Sequence, residues 1–317
     1  MRQQLAIEPE CEPWLVSGGA VALGLSGGRD SVALLRALLL RPGLRVCACH
    51  VHHGIRGAAA DADAALCAGL CEQLGVVYEQ CRVDVPALAA ACGESLETVA
   101  RRERRRLLAD FARRQHCRAV ALAHHADDQA ETALFHLARG SAGLRGMHAV
   151  SEQGGVVWLR PLLGCRRSEI TAWLQELGQP WCDDATNAVP DVTRNALRLE
   201  VLPALNRAMG RDVAPVICRS ARLQGEVAEA LHVALGQLPL LDPQGRLYLP
   251  FLEGKPAAFC RAVVHYYLQI SGVGGLTEEH VLAVCALLAP GSRVSMHNLP
   301  GGLRARRAHK RLSIEPL

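Results

Sequence analysis

Six residues near the start of the chain, Ser26-Gly27-Gly28-Arg29-Asp30-Ser31, have the types and spacing to hold a row of phosphates. Residues 21–25 form a short apolar run that reads as a buried strand, and a helical pattern follows over 31–40. A strand, a glycine turn and a helix N-terminus make an anion site, because unpaired amide groups point outward and the helix dipole favours negative charge. Gly27 and Gly28 lack the Cβ atoms that would hold phosphate off the backbone, while Ser26 and Ser31 add hydroxyls. The stretch is not G-x-x-x-x-G-K-[ST], since no lysine occurs before Lys255, and it is not G-x-G-x-x-G. A bare Gly-Gly would read as a tight turn and nothing more, as Ser17-Gly18-Gly19 does.

A second stretch, His124-His125-Ala126-Asp127-Asp128-Gln129-Ala130-Glu131-Thr132, follows a predicted strand over 118–123. If a helix begins near Asp127, Asp128 and Glu131 lie one turn apart at its positive end, where two carboxylates can bind Mg²⁺ or an ammonium group. Capping of the helix start is the alternative. His50, His52 and His53 invite a metal reading, but with i, i+2, i+3 spacing and no fourth ligand a loop at a nucleotide's edge suits them better. Nearly all basic residues are arginine, clustered at 101–106, 113–114, 166–167 and 304–311. Planar guanidinium forks in clusters suit phosphates and RNA, and a solvated helix face is the plainer alternative for any one cluster.

Predicted strands at 21–25, 44–51, 76–83, 118–123 and 156–159 alternate with helices at 31–40, 61–74, 96–114 and 167–177. That alternation predicts an α/β fold with a doubly wound, mainly parallel sheet whose site lies at the carboxyl ends of its strands. Both chemical stretches fall at such ends. Ser95 is the expected N-cap of the helix at 96–114, and Arg101, Arg104 and Arg105 share one of its faces. Beyond about residue 212 the texture changes to helices without strands between them, ending in a hairpin turned by Pro300-Gly301-Gly302. The expected domains are 1–212, catalytic, and 213–317, a smaller and mostly helical domain with a basic edge.

With 317 residues, half of them hydrophobic, the chain can bury a sizeable core. No apolar run approaches the roughly 18–20 residues of a membrane span, and Glu8, Glu10 and Glu12 are unlike a signal peptide, so a cytoplasmic protein with no membrane partner is expected. Thirteen cysteines, an odd number scattered singly with no Cys-x-x-Cys, read as buried reduced thiols. The net charge of +4 excludes little.

Taken together, the motifs resemble the tRNA(Ile)-lysidine synthetase family of PP-loop ATP pyrophosphatases. The resemblance rests on Ser26-Gly-Gly-Arg-Asp-Ser31, His50-Val-His-His-Gly54, Glu97-x-x-Ala-Arg101-x-x-Arg104, Ala123-His-His-Ala-Asp-Asp-Gln-Ala-Glu-Thr132, Arg139-Gly-Ser141, Arg160-Pro-Leu-Leu163, Asp184-x-x-Asn187 and Arg194-Asn195-x-x-Arg198. It implies a short-form ligase that spends ATP to adenylate the wobble cytidine of an isoleucine tRNA with a CAU anticodon, then attaches free L-lysine. Ser26, Gly27, Gly28, Arg29, Asp30 and Ser31 are then expected to hold ATP, with Asp30 also placed for Mg²⁺ or for the amine. Arg104, Arg194 and Arg198 are candidates for neutralising charge as pyrophosphate leaves, and His124 for a place beside the reacting base. Asp128 and Glu131 would bind lysine, and Arg101, Arg139, Arg304, Arg306 and Arg307 the tRNA. A homodimer belongs to the same set of expectations. Arg105 stands where the family pattern has an aromatic residue. A thiolase is the nearest rival but needs the absent Cys-x-x-Cys pairs; an ammonia-using synthetase or a non-catalytic nucleotide-binding protein are further alternatives.

Overall fold

The computed structural model describes residues 4–140, 144–182, 195–289 and 292–317. The chain divides into two compact units, one up to Gln224 and one from Gly225.

In the first unit, β1 (Ala20–Gly24) is almost wholly buried because helices cover both faces of its sheet. Its side chains part by the two-residue period of a strand. Val21 and Leu23 enter a core built with α1 (Arg29–Leu39), α2 (Ala58–Gln73) and α6 (Arg167–Glu176). Ala22 faces the other way, into a core with Leu108, Phe111 and Ala112 of α4 (Leu96–Arg114). The fully buried leucines of α1, Leu34, Leu35 and Leu38, each contribute about 1.5–3 kcal/mol by leaving water. Ser95 caps α4 as expected, its hydroxyl accepting from the Thr98 amide.

Six strands lie in the order β3-β2-β1-β4-β6-β5. β2 (Arg45–His52), β3 (Val77–Arg82), β4 (Ala119–Ala121) and β6 (Val156–Leu159) run parallel with β1 and with one another. The fold class read from the sequence is the one observed. One edge strand, β5 (Val150–Gln153), escaped that reading; it joins β6 antiparallel through Gly154-Gly155, whose φ values of 62° and 67° suit a tight two-residue hairpin. The strand order turns back at β1, so the crevice beyond the carboxyl ends of β1 and β4 is the natural ligand position. α3 (Val85–Cys92) precedes α4, and α5 (Ala126–Ala138) follows β4. A π-helical turn, Leu197–Val201, packs on α5 and leads into α7 (Leu202–Met209). α8 (Ala214–Gly236) runs through the division between the units.

The second unit gathers Leu235, Val263, Val264, Leu268, Val284, Ala305 and Leu312 into its own core. α9 (Ala257–Ile270) and α10 (Glu278–Leu287) accompany an antiparallel sheet ordered β7-β10-β9-β8. The turn at 300–302 joins β8 (Met296–Leu299) to β9 (Leu303–Ala308) as expected. A second turn at His309-Lys310, both at positive φ, adds β10 (Arg311–Pro316), which also pairs with β7 (Leu247–Tyr248). Among the described residues no helix is long and apolar enough to cross a membrane. All thirteen cysteines are free.

Candidate active site

The loop between β1 and α1 is held from within and from outside. Ser31 Oγ donates to the Gly28 carbonyl (2.9 Å), accepts from the Ser26 amide (3.2 Å) and lies 3.1 Å from Ser26 Oγ. From outside, the Cys182 amide donates to the Gly27 carbonyl at 3.0 Å. Gly27 has φ +86°, and a Cβ there would stand 3.2 Å from Cys67 Sγ; at Gly28 the only neighbour a Cβ would meet among the described residues is Ser26 Oγ at 3.5 Å. Gly27 is therefore required by the fold, whereas Gly28 leaves open space above the first amides of α1. Open space over unpaired amides at the positive end of a helix is an anion cradle.

Asp30, one residue into α1, is gripped by the neighbouring Arg29 (Nε to Oδ1, 2.9 Å). Its other oxygen lies 3.5 Å from His125 Nε2, and Asp128 Oδ2 lies 3.5 Å from the same nitrogen. The carboxyl ends of β1 and β4 thus bring Asp30, His125 and Asp128 into one cluster. Burial alone would raise the Asp30 pKa, but the neighbouring His125 ring and the Arg29 guanidinium hold it below the ordinary carboxylate value. Burial pushes Asp128 the opposite way, upward, against the pull of His125. Two neighbouring carboxyls with affinities driven apart is an arrangement that assigns them different tasks. Burial would also lower His125, yet Asp30, Asp128 and Asp127 together raise it. Its Nδ1 lies 3.4 Å from the Asp128 amide and 3.6 Å from Asp127 Oδ2. The three carboxylates favour the charged ring.

The helix begins at Ala126, one residue before the expected Asp127, with His125 at the N-cap. Asp128 Oδ2 accepts the His125 amide at 3.0 Å, so Asp128 does serve the cap while its carboxylate faces the cluster. Glu131, one turn further, is buried. Asp127 is turned elsewhere, to Arg166 (2.7 Å) and the Arg167 amide (2.8 Å).

His124 lies apart from that cluster, in the field of Arg104, Arg160 and Arg101. Burial first and those charges second push its pKa down to about 3, and its Nδ1 is buried without a partner. His53 is alike: burial and Arg104 bring it to about 4, and its Nδ1 too is buried and unpartnered. Both rings are neutral at physiological pH, feel the charge of Arg104, and each offers a buried ring nitrogen with no partner among the described residues. His50 and His52 do not join them; His50 Nδ1 meets the Leu25 carbonyl (3.0 Å) and His52 Nε2 lies 3.4 Å from Asp61. Among the described residues no group of three or more His, Cys, Asp or Glu is placed to hold a metal. Mg²⁺ carried on phosphate oxygens needs only one or two carboxylates, and Asp30, at the mouth of the cradle, can supply one.

Of the other expected site residues, Arg198 sits on the π-helical turn beside α5, and Arg101 and Arg139 line a groove described below. Arg194, like Ser141, Asp184 and Asn187 of the motifs, lies outside the described residues. In the second unit Arg304 and Arg306 both approach Glu315, at 3.5 and 3.8 Å. Arg307 points to the opposite face of β9 and donates to the Ser292 carbonyl (2.5 Å), so the three do not form one patch. His125 was missed in the sequence. Its signal is a residue directly before a helix with an aspartate three positions on, the spacing of a capping box.

A family model described as a PP-loop domain matches residues 4–205. The tRNA(Ile)-lysidine synthase of Chlorobaculum tepidum is 33% identical over 238 residues, covering 73% of this chain and 71% of that protein. The chain belongs to the tRNA(Ile)-lysidine synthase family. Two further members of the family that it resembles are the Deinococcus deserti protein, 43% identical over 75% of this chain and 44% of that one, and the Thermus thermophilus protein, 36% identical over 93% and 57%. The chain spans about half the length of these two relatives. Among solved structures, a U34-tRNA thiolase from Methanococcus maripaludis with its [4Fe-4S] cluster aligns over 70% of this chain and 76% of its own, with TM-score 0.56 and 19% identity, a likeness of fold alone. The matched residues, 4–205, fall within the first unit, which also carries the Ser26–Ser31 cradle.

Proposed function

We propose that this chain is an ATP-dependent ligase that forms lysidine in tRNA(Ile), adenylating the wobble cytidine of the CAU anticodon and then attaching L-lysine. The observation that carries the reading is the cluster in which Asp30, at the mouth of the phosphate cradle, and Asp128 approach the same nitrogen of His125. An anion cradle and an acidic cation site side by side are what a reaction between a triphosphate and an amine requires.

The amides of α1, with Ser26, Gly27, Gly28, Arg29 and Ser31, take the phosphates. Cytosine has one carbonyl oxygen. That oxygen attacks the α-phosphorus, the bond to the β-phosphate breaks, and pyrophosphate departs with its charge met by Arg104, Arg194 and Arg198. Lysine's amine then attacks the ring carbon bearing the adenylate, the carbon–oxygen bond breaks, and AMP leaves. Asp30 would hold Mg²⁺, which would neutralise phosphate charge. His124 and His53, neutral and unpaired on one ring nitrogen each, offer hydrogen bonds to a base without placing a charge beside it. Asp128 and Glu131 take the lysine ammonium groups. Arg101 and Arg139, and in the second unit Arg304, Arg306 and Arg307, contact the tRNA backbone.

The test is transfer of radiolabelled lysine, with ATP, into the CAU-bearing tRNA(Ile) and into tRNA(Met). Label in the isoleucine tRNA alone supports the reading; label in neither removes it.

A further inference from the structure

Apart from the phosphate cradle, a groove of about 950 Å³ lies between α4, α5 and the β5–β6 hairpin. Six arginines line it (101, 102, 105, 106, 113 and 139) against two carboxylates, Glu97 and Asp110. Most of the charge along α4 is already answered. Arg102 pairs with Glu94, Arg106 with Glu103 and Asp110, and Arg113 with Asp110.

Arg105 and Arg139 differ. The Arg105 guanidinium lies over the Trp158 ring at 5.4 Å and donates to the Gln153 side chain; that of Arg139 lies over the Phe135 ring at 4.8 Å. Among the described residues neither has an ion pair. Each is thus a planar cation backed by an aromatic ring, with its charge left for a ligand. Such planes stack on unpaired bases while their N–H edges reach phosphates. A base-paired helix keeps its bases stacked on each other and cannot use them, and a carboxylate peptide would use the charge but not the planes.

We propose that this groove is a binding site for single-stranded RNA, with Arg105–Trp158 and Arg139–Phe135 as two platforms that receive unstacked nucleotides flanking the one that reacts. The proposal rests on RNA being the substrate and assigns the strand's path on the first unit. Arg101 connects groove and chemistry, since it lines the groove and its charge also reaches His124 at the end of β4. The residue that departs from the family pattern, Arg105, occupies the aromatic position's place with a cation that borrows its aromatic face from Trp158.

The test is fluorescence anisotropy of the full chain with a labelled anticodon stem-loop of the CAU tRNA(Ile), without ATP, across a salt series, for wild type, Arg105→Gln, Arg105→Lys, Arg139→Gln and the double glutamine variant. Each glutamine variant should bind about tenfold more weakly, and the double variant should lower the slope of log affinity against log salt by about 1.4, the release expected for two contacts to a single strand. Arg105→Lys should keep the salt slope and still lose affinity, which a purely electrostatic role would not produce. A fully paired RNA duplex of equal length should bind more weakly than the stem-loop. Unchanged stem-loop affinity in the double variant, with its melting temperature intact, overturns the groove assignment and leaves the ligase reading standing. If wild type binds the duplex or polyglutamate as well as the stem-loop, the single-strand assignment fails. No stem-loop binding by wild type overturns it outright.

Discussion

Replacing each of the two loop glycines by alanine separates what the fold needs from what a phosphate needs. At Gly27 the backbone has φ +86°, which costs an L-residue roughly 1–2 kcal/mol, and the new methyl would crowd Cys67 Sγ at 3.2 Å and the Asp63 carbonyl at 3.5 Å. A total near 1–3 kcal/mol follows, or a fall in melting temperature of about 3–9 °C for a unit of this size. At Gly28, φ is −72° and among the described residues the methyl meets only Ser26 Oγ at 3.5 Å, so stability should stay within about 0.5 kcal/mol of wild type. That methyl instead fills the space through which phosphate oxygens reach the first amides of α1. Losing one or two charge-assisted hydrogen bonds of about 1.5–3 kcal/mol each weakens ATP binding by about tenfold to about 10⁴-fold. Thermal unfolding and calorimetric titration with ATP read the two effects separately. A Gly28→Ala variant that binds ATP as wild type does, or that unfolds as early as Gly27→Ala, would refute the cradle.

Three other perturbations follow from the same geometry. His125→Asn removes a charge that two carboxylates share, and since both are over a quarter exposed the cost should sit at the low end of the ~3–5 kcal/mol of a broken buried pair. Because the folded histidine titrates above its ordinary 6.5, its contribution is full below pH 6.5 and is lost as pH rises through the folded value, so melting curves of wild type and variant should converge toward alkaline pH. Asp128→Asn should leave tRNA-dependent pyrophosphate release largely in place while lysine transfer falls by roughly 10- to 100-fold, as loss of one charged hydrogen bond implies; equal loss of both steps would count against a lysine site. In the second unit, Asp242 accepts from Arg246 and Arg311, at 2.9 and 3.0 Å, and those contacts hold its carboxyl well below the ordinary range. Its contribution is present above pH 3.8 and lost as pH falls through the folded value, so Asp242→Ala should lower the second unit's melting temperature at neutral pH and make no difference in strong acid.

The parallel sheet was legible because its strands are short apolar runs between helices of clear period, and β1 with α1 announced the cradle by glycine and serine alone. The pairing of Asp30 with Asp128 was not legible, since 98 residues separate them and only the strand order β1–β4 makes them neighbours. His125 escaped because two adjacent histidines at a strand end cannot be told apart until the helix start is fixed. β5 escaped for want of apolar residues, Val-Ser-Glu-Gln being an edge strand with little to bury. The last turn escaped because His309-Lys310 adopts positive φ without glycine or asparagine. Arg105 on Trp158 is a tertiary contact that no spacing rule on α4 reveals.

The most direct measurement is the fate of ATP labelled on its α-phosphate, followed with the CAU tRNA(Ile) and lysine present. Cleavage between the α- and β-phosphates, with the label passing through the RNA into AMP and one pyrophosphate released per lysine incorporated, is the predicted result. Label recovered as ADP, with inorganic phosphate released, would contradict the account.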